Sequence, residues 1–308
     1  MRMLVLGTDP SLPETHPVAV YLGSLAPGSR RTMRQALDIA ASAVSPGSNA
    51  LTISWSTVGY QQVAVIRSKL SGYAPSTANK TLAAVRGVLR QAFALGQLNP
   101  EVYQRATSVR PVRGARVVRG RALTRTELKK MFDICGPGTF AKARDAALLA
   151  VAYGAGLRRS EITQLDLSDL DPTTGKLTIR GKGNKERLAY ATNGSRLALA
   201  KWTSVRGSHS GPLFLPVNKA DRIEHRRMTE QAVYMILRRL GQKAKIEKFS
   251  PHDLRRTFIG DLLDAGADIV TVQALAAHAS VTTTARYDRR PERTRQKAAE
   301  MIHVPFAG

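Results

Sequence analysis

An arginine-rich stretch near the middle of the chain does most to limit how this sequence can fold. Between residues 105 and 122, arginines recur at every third position among Val, Pro, Gly and Ala, and one more follows: Arg110, Arg113, Arg116, Arg119 and Arg121. Few of these residues could offset the cost of being buried, and the prolines and glycines interrupt regular structure. In a chain of 308 residues, this pattern predicts two domains, 1–108 and 123–308, joined by a basic linker at 109–122.

The charge of the linker and of the whole chain predicts a polyanionic partner. Lys and Arg total 47 against 23 Asp and Glu, which gives a formal net charge of +24. Such an excess destabilises a compact fold unless a polyanion relieves the repulsion. Guanidinium groups suit bidentate contacts with phosphate. We therefore predict that the five linker arginines lie along DNA phosphates. A merely solvated basic linker and a ribosome-type binder are the alternatives.

Apolar spacing predicts that the first domain, from residue 17 to about 104, is helical. Ser29 is a candidate N-cap for one helix, and a second amphipathic stretch covers residues 57–70. Ser76 is a candidate N-cap for a longer third helix, for which Gly96 would be the C-terminal stop. This part of the sequence shows no convincing alternating pattern of a strand, which favours a small helical domain.

The second domain is predicted to be mostly helical with a small antiparallel sheet. Residues 124–127, Thr-Arg-Thr-Glu, have the form of a capping box that starts a helix. Alternating residues at 177–180 and 187–190 flank a turn-rich segment, which indicates a hairpin. Further helices are predicted at about 140–153, 195–205, 229–241, 253–264, 268–277 and 292–302. The predicted fold class is therefore mainly α with a small antiparallel β-sheet.

Several classes of protein are disfavoured by what the sequence lacks. Cys135 is the only cysteine, which excludes an internal disulfide and a cysteine zinc cluster. The sequence has no ATPase phosphate loop and no zinc-protease motif, and its six histidines do not pair at metal-ligand spacing. No apolar run approaches the roughly 18 residues of a membrane span. We expect no cofactor, no metal, no membrane contact, and a cytoplasmic protein with access to DNA.

Cations and proton carriers in the second domain form an ordered series. Arg158 follows a double-glycine break at the start of a new helix. His252 and Arg255 are three residues apart, so both lie on one face if the segment is helical. His278 ends a helix, and Tyr287 follows nine residues later. Each also has an ordinary interpretation on its own, as an exposed charge, a capping segment or a packed tyrosine.

Taken in order, and with Lys182 in the glycine-rich hairpin, this series resembles the catalytic set of the tyrosine recombinases. That family includes phage integrases and Xer-type chromosome-dimer resolvases. The matching stretches are Gly-Leu-Arg-Arg-Ser-Glu-Ile at 156–162, Gly-Lys-Gly-Asn-Lys-Glu-Arg at 181–187, Ser-Pro-His-Asp-Leu-Arg-Arg-Thr-Phe at 250–258 and Ala-His-Ala-Ser-Val-Thr-Thr-Thr-Ala-Arg-Tyr at 277–287. The resemblance spans nearly the whole chain. In two places the chain departs from the family: Ala276-Ala277 stands where Leu-Gly is usual, and Arg256 where His is frequent.

The resemblance implies a chemical role for each residue of the series. Tyr287 would attack a phosphodiester and form a 3′-phosphotyrosyl intermediate. Arg158 and Arg255, with His278, would stabilise the charge that grows on the nonbridging oxygens. His252 is the candidate base. Lys182 would protonate the departing 5′ oxygen, with Lys185 as the nearest competitor for that role.

The resemblance also implies an architecture and partners. A helical core-binding domain of the SAM-like type would precede the catalytic domain, and the two would form a C-shaped clamp on double-stranded DNA with specific recombination sites. Four protomers would act on two duplexes in the bacterial cytoplasm, at the nucleoid. The segment near 292–302 would dock on a neighbouring protomer, or else pack in cis. Integration, excision and resolution, including those of mobile genetic elements, stay open, as do two alternatives: a type IB topoisomerase and a noncatalytic DNA-binding regulator.

Overall fold

The chain divides into two compact units, Met1–Val118 and Arg119–Gly308. The structure, a computed structural model, describes residues 15–114, 120–181, 186–247, 249–288 and 299–301. Each unit has its own cluster of buried apolar side chains. Within the described ranges, no helix combines the length and the apolar character needed to cross a bilayer.

The described part of the first unit contains helices and no strand. The helices are α1 (Pro17–Gly23), α2 (Pro27–Val44), α3 (Tyr60–Lys69), α4 (Pro75–Ala94) and α5 (Pro100–Thr107). All of them except α3 begin with a proline. Proline suits the first helical position because its fixed φ is helical and because an N–H there would have no partner within the helix. The helical character predicted for this region is confirmed.

Two predicted helix starts were wrong. Ser29 and Ser76 lie inside α2 and α4, which begin at Pro27 and Pro75 with alanine as the N-cap residue. In both cases the preference of proline for the first turn decided the boundary over the preference of serine for the cap. The predicted stop of α4 was correct, since Gly96 follows the helix with a φ of +71°.

Helix α4 packs closely against α1 because a glycine lies at their contact. Gly87 is in the middle of α4, where a Cβ added to the glycine would lie 2.2 Å from Cε2 of Tyr21. The Tyr21 ring is nearly buried, at 9% exposed. A side chain at residue 87 would therefore have to displace a ring that has little room to move.

The first residues of the predicted linker are bound to the surface of the first unit. Arg67 of α3 donates from Nε to the carbonyl of Arg110 at 2.8 Å. Asn79 of α4 exchanges two hydrogen bonds with the backbone of Val112, at 2.8 and 3.0 Å. Residues 105–107, where the arginine-rich stretch begins, belong to α5. The side chains of Arg67 and Asn79 therefore hold the start of the linker, which the spacing of the arginines did not predict.

The second unit is mainly helical and carries one antiparallel hairpin. Strands β1 (Lys176–Arg180) and β2 (Glu186–Tyr190) pair so that Lys176 faces Tyr190 and Arg180 faces Glu186. The helices are α6 (Arg125–Ile134), α7 (Phe140–Gly154), α8 (Arg159–Gln164), α9 (Gly194–Arg206), α10 (Glu230–Lys243), α11 (Pro251–Asp264), α12 (Ile269–Ala276) and α13 (Val281–Ala285). The predicted fold class, mainly α with a small antiparallel β-sheet, is confirmed.

Local signals located most elements of this unit. The predicted capping box is present, since Thr124 Oγ1 accepts from the Glu127 N–H and the Glu127 carboxylate accepts from the Thr124 N–H. Helix α13 was not predicted, because five residues are too few to show an apolar period. All but the end of the terminal helix predicted at 292–302 lies outside the described residues.

A small apolar cluster, separate from the main core, packs against Tyr287. Helix α7 lies in the main core and is buried along most of its length. The side cluster consists of Phe258, Ile259, Leu263, Val272 and Ala276 from α11 and α12, and Tyr287 packs against it. Tyr287 is therefore anchored on the packed helices α11 and α12.

We expect Gly87→Ala to destabilise the first unit by about 1–3 kcal/mol, because the new methyl group collides with Tyr21. Gly28→Ala is the matched control, since a Cβ added at this position of α2 would have nothing within 4 Å. In the control, the better helix propensity of alanine should leave stability unchanged or raise it by up to about 1 kcal/mol. Urea unfolding of both variants measures the difference. Equal stabilities would contradict the close packing at Gly87.

Candidate active site

Arg158 is the N-cap residue of α8, as its position after the double-glycine break predicted. Its backbone N–H donates to Glu161 Oε2 at 2.7 Å and its Nη1 donates to Glu161 Oε1 at 2.8 Å. Its other terminal nitrogen, Nη2, donates to the carbonyl of Ala277 at 2.9 Å. The guanidinium is thus fixed between the first turn of α8 and the end of α12.

Arg255 of α11 is buried, with 2% of its surface exposed. Its Nη1 donates to the carbonyl of Gly156 and its Nη2 to the carbonyl of Ala276. Burial, together with the nearby charge of Arg158, lowers the pKa of Arg255 to about 10, which still leaves it charged at neutral pH. Two cations therefore meet at the C-terminal end of α12, where backbone carbonyls carry partial negative charge.

Besides Arg158, Glu161 also binds Arg187 of β2. Its Oε2 accepts from Arg187 Nη2 at 2.9 Å, and Arg187 Nη1 donates to the carbonyl of Leu275 at 3.0 Å. Burial alone would raise the pKa of Glu161, but Arg187 and Arg158 together lower it. The carboxylate is therefore ionised and connects β2 to α8.

A left-handed residue turns the chain from α12 to His278. Ala277 has φ +46° and ψ +52°, a conformation that usually selects glycine. Alanine in the place of the family's usual glycine therefore leaves the left-handed turn in place. The turn is closed by the His278 N–H, which donates to the carbonyl of Gln273 at 3.1 Å.

His278 is oriented by a threonine three residues before Tyr287. His278 Nδ1 lies 2.9 Å from Oγ1 of Thr284, which is fully buried. Burial and the charges of Arg255 and Arg158 lower the pKa of His278 to about 4, so the imidazole is neutral at pH 7. With Nδ1 occupied by Thr284, the other ring nitrogen is the one left to meet a ligand.

Tyr287 lies between His278 and Arg256. The rings of Tyr287 and His278 are stacked with centroids 5.8 Å apart, and the guanidinium carbon of Arg256 is 5.2 Å from the centroid of the Tyr287 ring. The Tyr287 N–H donates to the Thr284 carbonyl at 2.9 Å. Arg256, noted above as a departure from the family pattern, thus contacts the tyrosine ring directly.

His252 stands in the first turn of α11, one turn before Arg255, as the spacing predicted. Partial burial, followed by the charges of Arg255 and Arg256, lowers its pKa below the ordinary value. His252 lines a cavity of about 340 Å³ together with Arg158 and Arg255. Its ring is neutral at pH 7, as a proton acceptor must be.

Arg158 also lines a larger cavity of about 990 Å³. Its wall includes Arg187, Arg180 and Gly181 from the hairpin. Lys182 and Lys185, the two candidates for the leaving-group acid, lie outside the described residues. Gly181 and Glu186, which flank the lysines in sequence, line the same cavity as Arg158.

The predicted DNA-binding arginines have different surroundings. In the first unit, Arg110 and Arg113 line a cavity of about 670 Å³ together with Arg67, Ser68 and Ser71. In the second unit, Arg121 forms a bidentate ion pair with Glu127 at 2.8 and 2.5 Å, and this pair lowers the pKa of Glu127 to about 2. Arg121 thus binds a carboxylate that the sequence interpretation had not assigned to it. Arg116 and Arg119 lie outside the described residues.

Four residues of the site were not predicted from the sequence: Glu161, Arg187, Arg256 and Thr284. The spacing of Glu161, three residues after Arg158 at a helix start, is a capping pattern and could have found it. Arg187 shows its role only through Glu161 and Leu275, which are both distant in sequence. The role of Thr284 could have been predicted only if the turn at Ala277 were already known.

Comparison with known proteins gives one consistent result. The model of the phage integrase family matches residues 121–293. Tyrosine recombinase XerC of Azotobacter vinelandii is 32% identical over 226 residues, which cover 72% of each chain. Tyrosine recombinase XerC of Pseudomonas putida is 30% identical over 237 residues, which cover 76% of each chain.

Solved structures share the fold at low sequence identity. XerH recombinase bound to a palindromic difH substrate is 20% identical with a TM-score of 0.62, covering 92% of this chain and 78% of that one. The Tn1549 transposon integrase in complex with transposon right end DNA is 16% identical with a TM-score of 0.65, covering 93% and 98%. These likenesses support the helical architecture described above.

We expect Ala277→Gly to raise the free energy of unfolding by about 1 kcal/mol, because glycine removes the steric cost of the left-handed conformation. The carbonyl that accepts from Arg158 is kept. Ala276→Gly is the matched control, since Ala276 is helical and fully buried. It should lose at least about 1 kcal/mol. Chemical unfolding measures the free energy of unfolding of both variants. A destabilised Ala277→Gly variant would contradict the strain at this turn.

The lowered pKa of His278 predicts a loss of stability in acid. An unfolded histidine titrates near 6.5, whereas His278 in the folded chain titrates at about 4. The unfolded state therefore binds the proton first, and the melting temperature should fall as the pH drops from about 6.5 to about 4. Calorimetry across this range should show a shallower fall for His278→Asn, and the lowered pKa values of His252, His16 and Glu161 contribute to the fall that remains. Identical slopes would contradict the prediction.

Proposed function

The chain belongs to the phage integrase family and is a site-specific tyrosine recombinase, and from this premise we propose that Tyr287 is the nucleophile that cuts and rejoins DNA strands. One observation carries the proposal. Arg158, Arg255 and His278 converge on the C-terminal end of α12, and the Tyr287 ring is stacked on His278.

The two arginines stabilise the transition state for attack on phosphorus. Negative charge grows on the nonbridging oxygens during the attack, and cations fixed beforehand offset it. Arg158 and Arg255 stay charged and bind two oxygens in one plane. His278, which is neutral, donates a further hydrogen bond from the ring nitrogen that Thr284 leaves free.

Proton transfer completes the cleavage step. A phenolic hydroxyl is a poor nucleophile while it keeps its proton, so Tyr287 needs a base or a cationic surrounding. His252 takes the proton, and the guanidinium groups of Arg255 and Arg256 favour the phenolate. As the Tyr287 oxygen bonds to phosphorus, the bond to the 5′ oxygen breaks, and Lys182 protonates that oxygen. Lys185 is the alternative donor.

The intermediate keeps the energy of the phosphodiester in the 3′-phosphotyrosyl bond. A 5′-hydroxyl from another strand then attacks phosphorus, releases Tyr287 and forms the new phosphodiester. One bond is made for each bond broken in both steps. Rejoining therefore needs no external source of energy, and direction depends on which strand supplies the hydroxyl.

The partner of this site is double-stranded DNA with specific recombination sites. Arg110 and Arg113 contact phosphates from the first unit, as do Arg116 and Arg119 farther along the linker. Four protomers act together on two duplexes, and the protein works in the cytoplasm at the nucleoid. Support comes from the basic charge of the chain and from solved recombinases bound to DNA.

The rival functions are not favoured. A type IB topoisomerase would relax supercoils without a sequence requirement, and a regulator would need no nucleophile. The curated relatives described above are site-specific recombinases that share about three quarters of their length with this chain.

We expect Tyr287→Phe to bind DNA and to form no covalent adduct, because the attacking oxygen is missing. The substrate is a nicked suicide duplex, obtained by selecting cleaved molecules from a random library, and the adduct is detected as DNA-linked protein on a denaturing gel. Tyr190→Phe is the matched control, since Tyr190 is an exposed tyrosine of β2. It should form the adduct as the wild type does. Trapping by Tyr287→Phe would show that another residue is the nucleophile.

A further inference from the structure

A tyrosine beside the site holds two arginines that the mechanism above does not use. Tyr234 lies in α10, Arg238 one turn farther along the same helix, and Arg159 at the start of α8. The guanidinium carbons of Arg159 and Arg238 are 5.2 and 5.8 Å from the centroid of the Tyr234 ring. Arg238 Nη1 also donates to the Tyr234 hydroxyl at 3.2 Å. We refer to these three residues as the tyrosine platform.

Among the described residues, no carboxylate forms an ion pair with the arginines of the platform. Many arginines of the second unit form an ion pair with Asp or Glu: Arg121, Arg144, Arg158, Arg180, Arg187, Arg226, Arg227 and Arg239. In the described part of the chain, neither Arg159 nor Arg238 forms such a pair. An aromatic ring attracts a cation but does not neutralise it. Two like charges on one ring therefore favour an anion between or above them.

The platform borders, through Arg159, a cavity lined by three of the proposed catalytic residues. Arg159 lines the cavity of about 340 Å³ together with Arg158, His252 and Arg255. Glu230, in the first turn of α10, lines the same cavity but is not paired with either platform arginine. An anion that enters this cavity is therefore within reach of Arg159 as well as of Arg158.

We propose that the tyrosine platform binds a DNA backbone phosphate that flanks the scissile phosphate on the same strand. This inference rests on the proposed function, because the scissile phosphate lies at Arg158 and Arg255. A strand that places one phosphate there must place neighbours nearby, since each strand carries one for every 3.4 Å or so of helix axis. Arginine is suited to such a contact because its fork binds two phosphate oxygens at once.

The platform sets the position of the strand and takes no part in the chemistry. Contacts with phosphate fix the register of a protein on DNA without reading bases. Loss of the platform should therefore weaken binding and raise KM, whereas the cleavage rate at saturating DNA stays the same. Tyr234 acts through the two arginines, because its ring limits where the guanidinium groups lie.

The first experiment compares Arg159→Ala and Arg238→Ala with Arg222→Ala in the full chain. Arg222 is an exposed arginine that lines none of the cavities described here. Binding to the suicide duplex is measured over a range of salt concentrations. We expect each platform variant to bind about 10-fold more weakly, with the slope of log K against log salt reduced by about 0.9 for the lost phosphate. The single-turnover cleavage rate at saturating DNA should stay within about 3-fold of wild type.

The second experiment identifies the phosphate. A neutral methylphosphonate replaces one phosphate at a time next to the scissile position. Wild type should lose about 10-fold in affinity at one such position, and Arg159→Ala should lose almost nothing further there. Tyr234→Phe should keep most of the binding because the ring remains, whereas Tyr234→Leu should bind as weakly as the arginine variants.

Two results would overturn the inference: platform variants that bind as well as Arg222→Ala, or variants that bind normally but cleave slowly at saturating DNA. Melting temperatures show that each variant is folded. Failure of the proposed function looks different, because wild-type protein would then form no covalent adduct at all.

Discussion

The bonds between two arginines and the end of α12 are the interaction on which the rest of the site depends. Arg255 is almost fully buried, so its charge must be met inside the protein, and the carbonyls of Gly156 and Ala276 meet it. Arg158 reaches the next carbonyl and is itself held by Glu161. The turn before α8, the second turn of α11 and the end of α12 are thereby joined at one point.

Hydrogen bonds between residues close in sequence then fix the segment that follows α12. The left-handed Ala277 directs the chain so that His278 returns toward the arginines, and the buried Thr284 holds the ring of His278. Tyr287 follows Thr284 by less than one helical turn and packs on the same small apolar cluster. The position of the tyrosine therefore follows from that of the arginines.

Sequence reasoning located the helices, the hairpin and the order of the site residues because these depend on local patterns and on motif order. It misjudged the starts of α2 and α4, where two local preferences compete at neighbouring positions. It did not reveal Arg187, whose partners Glu161 and Leu275 are brought close only by the tertiary fold. Thr284 meets His278 only because of the turn at Ala277, whereas Glu161 has a capping spacing that could have found it. The binding of Arg121 to Glu127 could not be read from the place of Arg121 in a basic run.

The hydrogen bonds of Arg158 and Arg255 also affect the conformational entropy of these side chains. A free arginine side chain samples many rotamers, and ordering it costs up to about 2 kcal/mol. Arg158 has already lost that freedom to Glu161 and to the α12 carbonyls, as Arg255 has to its own carbonyls. The ordering is completed when the domain folds, so little of it has to be supplied when DNA arrives. The readiness of the site is therefore tied to the stability of the fold, and mutations that loosen α12 should slow the reaction even where no reacting group is touched.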